Sequence, residues 1–215
     1  MTLPTLHLCA KTPIPGHVKT RLQTRCNADQ AAHISAWCIE RTVELALSAW
    51  RGPVSLHVWP SQQHRLFRNL RQSLNIDIKR QVRGDLGTKM HSALASAYPG
   101  AVMGCDVPHC TPEILTCAAH TLSEGQDVIG SSRDGGYYLI GLTYPHRVLF
   151  QDFCWGDGSV YKHTLSKAKA LGIRFKELPT LIDLDTWEDI EEVLLTFDPL
   201  RQMLSSNGSA DDYRC

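Results

Sequence analysis

The chain has 215 residues, with 22 lysines and arginines against 22 aspartates and glutamates, and 10 histidines without a paired metal-type spacing. A chain of this length suits one domain with a sizeable core, and its even charge removes the overall field that favours nucleic acid or a membrane surface. Eight cysteines form no C-x-x-C pair, and several lie inside apolar or helical runs, so they read as small core residues rather than as a zinc or redox motif.

No leader-like segment opens the chain, and no apolar run reaches ~18 residues, the span of a membrane helix. The expectation is a cytoplasmic protein with reduced thiols and no membrane span.

Residues 3–9 read as a strand. Asn27 is placed to cap a long helix over about 28–50, with Ile34, Cys38, Val43, Leu45 and Leu47 near helical spacing. Val54–Val58 alternate as a half-buried strand does. A polar, basic helix over 62–72 and a short strand over 76–82 follow. The next helix, 88–98, stops at Pro99 and Gly100, and Ala101–Gly104 form a short buried strand. Thr111 and Pro112 open a helix to about 123, since proline suits the first helical position. Strands are expected over 127–130 and 137–142, a helix over 158–171, a strand over 173–178 and a helix over 186–197. This order argues for a three-layer α/β/α sandwich around a mixed, mainly parallel sheet. One domain is expected over residues 1–200, with 201–215 a polar, mobile tail.

Five constellations could carry chemistry. In the loop Lys11–Arg21, an apolar strand runs into Pro13, Pro15 and Gly16, and Lys19 and Arg21 follow at once. Free backbone amides and cations at such a place hold phosphate. Cations at the positive end of a helix are misplaced unless an anion sits there; a basic turn is the alternative. Asp106, in Gly104-Cys105-Asp106, stands at the strand edge where open α/β sheets bind ligands, and its carboxylate suits Mg²⁺ or Mn²⁺ beside phosphates. Asp134 begins the turn Asp134-Gly135-Gly136-Tyr137, where paired glycines let backbone approach a ligand, although Asp-Gly is equally a hairpin turn. Asp183 and Asp185 share one face if their segment is extended, so either could complete a metal site. Thr186 with Asp189 also resembles a helix cap. The loop from Gln81 to Thr88, which holds Gly84 and Gly87, could read a base edge or serve as a plain strand-to-helix turn.

In combination, the blocks AKTPIPGHVKTRL, QVRGDLGTKM, GCDVPHCTPEIL, DVIGSSRDGGYYLIGL, FCWGDGSVYKHTL and LIDLDTWEDI resemble the DUF2064 family, over about residues 6–192. That family is glycosyltransferase-like and belongs to the nucleotide-diphospho-sugar transferase superfamily, with a GT-A fold. The resemblance implies that Lys11, Gly16, Lys19 and Arg21 hold nucleotide phosphates and that Gln81 and Gly87 read the base. It also implies that Asp106 binds the divalent metal and that Asp134, Gly135, Gly136 and Tyr137 face the acceptor; on the reading of the residues themselves, Asp183 or Asp185 could add a second metal ligand, and Trp155 could line the acceptor site or pack under a loop. The D-x-D metal signature is incomplete, since Gly104-Cys105-Asp106 supplies only its last acid. Asp106, Lys19 and Asp134 are the catalytic candidates.

The reading is a Mg²⁺- or Mn²⁺-dependent nucleotidyl- or glycosyltransferase, taking a nucleotide or nucleotide-sugar and an acceptor that the sequence does not name. The alternative is a nucleotide-binding protein without transfer activity, a sensor or assembly partner.

Overall fold

The computed structural model describes residues 2–206. Strands β1 (Thr5–Lys11), β2 (Val54–Trp59), β3 (Asp77–Arg80), β4 (Gly100–Gly104), β5 (Val128–Ser132), β6 (Tyr137–Leu142) and β7 (Lys176–Leu181) form one sheet. Their order is β3-β2-β1-β4-β6-β5-β7. Pairing is parallel throughout except at β6, which runs antiparallel to both β4 and β5. The mixed, mainly parallel sheet is therefore as expected.

Helices α1 (Ala28–Ala49), α2 (Arg65–Leu74), α3 (Leu86–Leu94), α4 (Pro112–Ser123), α5 (Val160–Ala170), α6 (Trp187–Val193) and α7 (Asp198–Ser206) complete the layers. Leu6 and Leu8 of β1 pack on one side with Ile39 and Val43 of α1, Phe67 of α2 and Leu115 of α4. On the other side Val102, Ile129 and Ile140 meet Met90 and Leu94 of α3 and Ala168 of α5. Burial on both faces is what a central parallel strand requires. Asn27 caps α1 through the expected contact, reinforced by Gln30 in a reciprocal capping box.

A third cluster joins a 3₁₀ turn over Thr20–Thr24 to α1, α6 and α7, through Leu22, Ile34, Trp187, Ile190 and Leu200. Here the expected tail needs correction. Residues 198–206 form a helix whose Leu200, Met203 and Leu204 are buried. Their i, i+3, i+4 spacing gives that helix an apolar stripe, so the domain extends at least to Ser206. The rest of the expected tail, 207–215, lies outside the described residues. Strand β7 lies three residues later than its expected start and buries Leu178 and Leu181. Among the described residues no helix is long and apolar enough to cross a membrane.

Candidate active site

The carboxyl ends of the parallel strands open on a cavity of about 400 Å³. Open α/β sheets bind ligands at this edge because strand-to-helix loops fan apart there. Strand order decides what faces the cavity. Lys11, Trp59 and Gln81 follow from β1, β2 and β3 on one side; Asp106, Asp134 and Asp183 follow from β4, β5 and β7 on the other.

On the acidic side the Lys19 ammonium pairs with Asp106 and donates to Asp185 at 2.9 Å. Lys19 takes a left-handed backbone conformation, φ 46°, just before the Thr20–Thr24 turn. Buried Val18 and Leu22 on either side aim its side chain inward, leaving it 4% exposed. The amide of Leu184 donates to the Asp106 carbonyl at 2.9 Å, which ties the two acidic loops together. Burial opposes the ammonium charge, but Asp106 and Asp185 outweigh it and hold the Lys19 pKa above its ordinary value. The misplaced cation of the sequence thus has its anions in the chain itself. Arg21 is different: it is 70% exposed and stands 3.9 Å from Asp185.

Burial pushes the Asp183 carboxyl up to about 7, and the negative charges of Asp106, Asp134 and Asp185 act in the same direction. Asp134 accepts from the Gly136 amide at 2.9 Å, so it both makes the turn and lines the cavity. Hard carboxylate oxygens in this number suit a divalent cation such as Mg²⁺ or Mn²⁺. Among the described residues, however, no three His, Cys, Asp or Glu side chains are gathered as a metal site. The Lys19 ammonium offsets one of the two charges of Asp106 and Asp185. The donor chemistry fits the metal, then, on condition that Lys19 yields.

At the other side, the Lys89 ammonium lies 4.8 Å and the Arg80 guanidinium 5.4 Å from the centre of the Trp59 ring. Gln81 donates its side-chain N–H to the His57 carbonyl at 2.8 Å and its backbone N–H to Val58 at 2.9 Å. Trp155 donates to Asp85 at 3.3 Å, closing the far wall with the 151–158 loop. Trp59 and Lys89 were not singled out in the sequence, where a strand-end tryptophan and a helical lysine carry no distinguishing spacing.

The glycines divide by role. A Cβ on Gly87 would meet the Phe150 carbonyl at 2.0 Å and the Trp155 ring at 2.7 Å, so Gly87 is a packing glycine beneath the wall. A Cβ on Gly135 would meet the Gly158 carbonyl at 1.9 Å, where two loops cross backbone to backbone. Gly16 turns at φ +79° in the open, away from the cavity lining. Gly136, Tyr137 and Trp155 do line the cavity. Cys9 and Cys105 line it too, but burial pushes the Cys9 thiol up to about 12 and raises Cys105 strongly, so neither is a thiolate nucleophile. The Thr186–Asp189 pair forms the expected capping box of α6.

Six co-directional strands, one reversed strand and a ligand cavity at the strand ends define the nucleotide-diphospho-sugar transferase, or GT-A, class of α/β fold. The chain belongs to the family described as "Uncharacterized protein conserved in bacteria (DUF2064)", which matches residues 42–157. No curated protein matches the sequence. Among solved structures, a Desulfovibrio desulfuricans protein provisionally assigned as a nucleotide-diphospho-sugar transferase is 25% identical. It superposes with a TM-score of 0.84, covering 100% of this chain and 98% of its own. The inositol-1-phosphate CTP transferase of T. maritima shares the fold at a TM-score of 0.60 and 14% identity, over 97% of this chain and 98% of its own. The Rv0371c protein of Mycobacterium tuberculosis, in complex with manganese, does so at 0.51 and 16%, over 91% of this chain and 100% of its own.

Proposed function

We propose that the chain is a divalent-metal-dependent transferase that takes a nucleotide or nucleotide-sugar donor and passes part of it to an acceptor. The observation that carries this reading is the division of one strand-end cavity into an aromatic, cationic side and a four-carboxylate side. A donor nucleotide has the matching halves: a flat ring, and phosphates that need a cation. The names of the structural relatives agree with it.

Asp106 with Asp183 or Asp185 would hold the metal, which when bound supplies positive charge to phosphate oxygens. Lys19 would then be released from Asp106 and Asp185, leaving its ammonium free for a phosphate oxygen. Lys11 adds a second cation at the same strand edge. Asp134 lies within reach of the acidic group and is the residue that could accept an acceptor's proton, and the Gly135–Gly158 crossing fixes the turn that carries it. Trp155 would wall the ring side of the cavity. Transfer of this kind depends on positioning and electrostatic stabilisation, so no activated nucleophile is required of the protein.

A second reading draws on one observation. The Lys19 ammonium engages both Asp106 and Asp185, so a nucleotide held by the chain's own cations, with no transfer, is the second reading.

Thermal-shift titration with nucleoside triphosphates, diphosphates and nucleotide-sugars, with and without Mg²⁺ or Mn²⁺, tests the two. A ligand that binds only the folded state stabilises it by ~2.7 kcal/mol at a hundredfold excess over its dissociation constant. A shift that requires the metal supports the transferase. The same shift in EDTA supports the second reading, and no shift with any nucleotide refutes both.

A further inference from the structure

We infer that Arg133 is a positioning residue: it braces the loop that carries Asp183 and Asp185 at both ends, and so sets how tightly the acidic side of the cavity holds a divalent cation. This role rests on the metal-dependent reading above and adds to it a residue that does not itself line the cavity.

Residues 182–186 join β7 to α6 and belong to neither the sheet nor the helix. Such a segment keeps its shape only through the groups that grip it. Its entry is gripped by backbone. The Arg133 N–H donates to the Leu181 carbonyl at 3.0 Å, beside the last register pair of β5 and β7, Ser132 with Leu181. Midway, the Leu184 N–H donates to the Asp106 carbonyl at 2.9 Å.

Its exit is gripped by the Arg133 side chain, acting through Asp189. One oxygen of Asp189, Oδ2, accepts the Thr186 N–H and the Thr186 hydroxyl, each at 2.8 Å, and the Asp185 N–H at 3.3 Å. The cap of α6 uses that oxygen alone. The other, Oδ1, accepts from the Arg133 guanidinium at 2.7 Å, 56 residues away in the chain. The same guanidinium pairs with Glu192, three residues further along α6. A planar fork on two carboxylates is fixed in direction as well as distance. Asp189 is 17% exposed, so its contact with Arg133 is largely shielded from water.

A half-exposed arginine contributes little to overall stability through its ion pairs, and α6 has its capping box without Arg133. What Arg133 adds is a tie between two loops. The turn of Asp134 follows it directly, and the Asp185 N–H hangs on the carboxylate it grips. A cation shared by Asp106 and by Asp183 or Asp185 needs carboxylates from separate loops at one fixed spacing. Groups that stand behind metal ligands and orient them are worth about tenfold or more in affinity. Charge alone predicts the opposite: Arg133 is a cation beside an acidic group, and its removal favours a bound cation. The sign of the change therefore separates positioning from electrostatics.

Titration of the wild type, Arg133→Met and Arg133→Lys with Mn²⁺ alone, read from the electron paramagnetic resonance of the free ion, tests this role without nucleotide or turnover. Arg133→Met should hold Mn²⁺ about tenfold more weakly, while its melting temperature falls by no more than about 4 °C. Arg133→Lys keeps the charge and can still reach Asp189, so it should recover most of the affinity. Binding by Arg133→Met as tight as the wild type's, or tighter, overturns the positioning role and leaves the metal site standing. Equal weakening in both variants also overturns it, by making the loss independent of the contact with Asp189. A collapse of the melting temperature in Arg133→Met does so too, by making the bridge a support of the whole fold. A wild type that holds no Mn²⁺ removes the metal site first, and the role of Arg133 with it.

Discussion

The Lys19 ammonium donates to Asp185, 166 residues further along the chain, at 2.9 Å. The same ammonium pairs with Asp106, so one buried cation joins the loop after β1 to the loops after β4 and β7. The carboxylates are half-exposed, at 51% and 44%, while Lys19 is almost fully covered. Removing the cation therefore leaves two neighbouring acids uncompensated but partly hydrated. Lys19→Met is expected to lower stability by about 1–3 kcal/mol, less than a fully buried pair would cost when broken. Millimolar Mg²⁺ should then raise the melting temperature of Lys19→Met more than that of the wild type. A variant as stable as the wild type and indifferent to Mg²⁺ would show that the triad neither stabilises the loops nor occupies the metal's position.

A pair of buried histidines predicts an acid-sensitive fold. His7 lies 3.2 Å from His57 and 3.0 Å from the Ser55 hydroxyl, beneath the sheet surface. Burial holds both rings down, to about 4 from 6.5; His57 and Lys79 act in the same direction on His7, and Lys79 on His57, where Asp77 opposes it. The folded rings stay neutral at a pH where the unfolded chain takes up protons. The stability they contribute is thus complete above about 6.5 and is lost as pH falls toward about 4. At pH 5, between the two values, the loss is already well under way. Denaturant midpoints at pH 7.5 and pH 5 measure it, and His57→Asn should show a visibly smaller difference between the two.

Gly87 separates packing from recognition. The resemblance makes it a base contact, whereas the structure places it under the Phe150 carbonyl and the Trp155 ring. Gly87→Ala should cost about 1–3 kcal/mol through overpacking and shift Trp155 fluorescence as the wall is displaced. Wild-type stability with weakened nucleotide binding would instead make Gly87 a ligand contact.

Most elements were legible because burial leaves a period. Leu6, Leu8 and Ala10 alternate in β1, and the Asn27 cap and the Pro112 helix start follow from backbone chemistry. The C-terminal helix was missed because its neighbours Ser205 to Asp212 are polar, which masked the short stripe of Leu200, Met203 and Leu204. Leu200→Ala should accordingly destabilise the domain by about 2–5 kcal/mol, as a buried leucine does and a tail residue does not; urea denaturation measures it. In the site, Asp106 and Asp134 were singled out next to expected strands and Asp183 with Asp185 as a pair on one face, and all four line the cavity. That Lys19 would turn inward to two of them was not legible, because pairing across 166 residues is a property of the sheet order and leaves no local pattern. Trp59 and Lys89 were missed for the same reason.

The central claim is that nucleotide binding in this cavity runs through a divalent cation on Asp106. Calorimetric titration of the tightest nucleotide into wild type and Asp106→Asn, with Mn²⁺ and with EDTA, tests it most directly. The account predicts that Mn²⁺ strengthens binding to the wild type by about tenfold or more and has little effect on Asp106→Asn, which keeps Asp185 as a partner for Lys19 and stays folded at a somewhat lower melting temperature. Equal affinity in Mn²⁺ and EDTA, unchanged by Asp106→Asn, would contradict it and leave a protein that holds nucleotide with its own lysines.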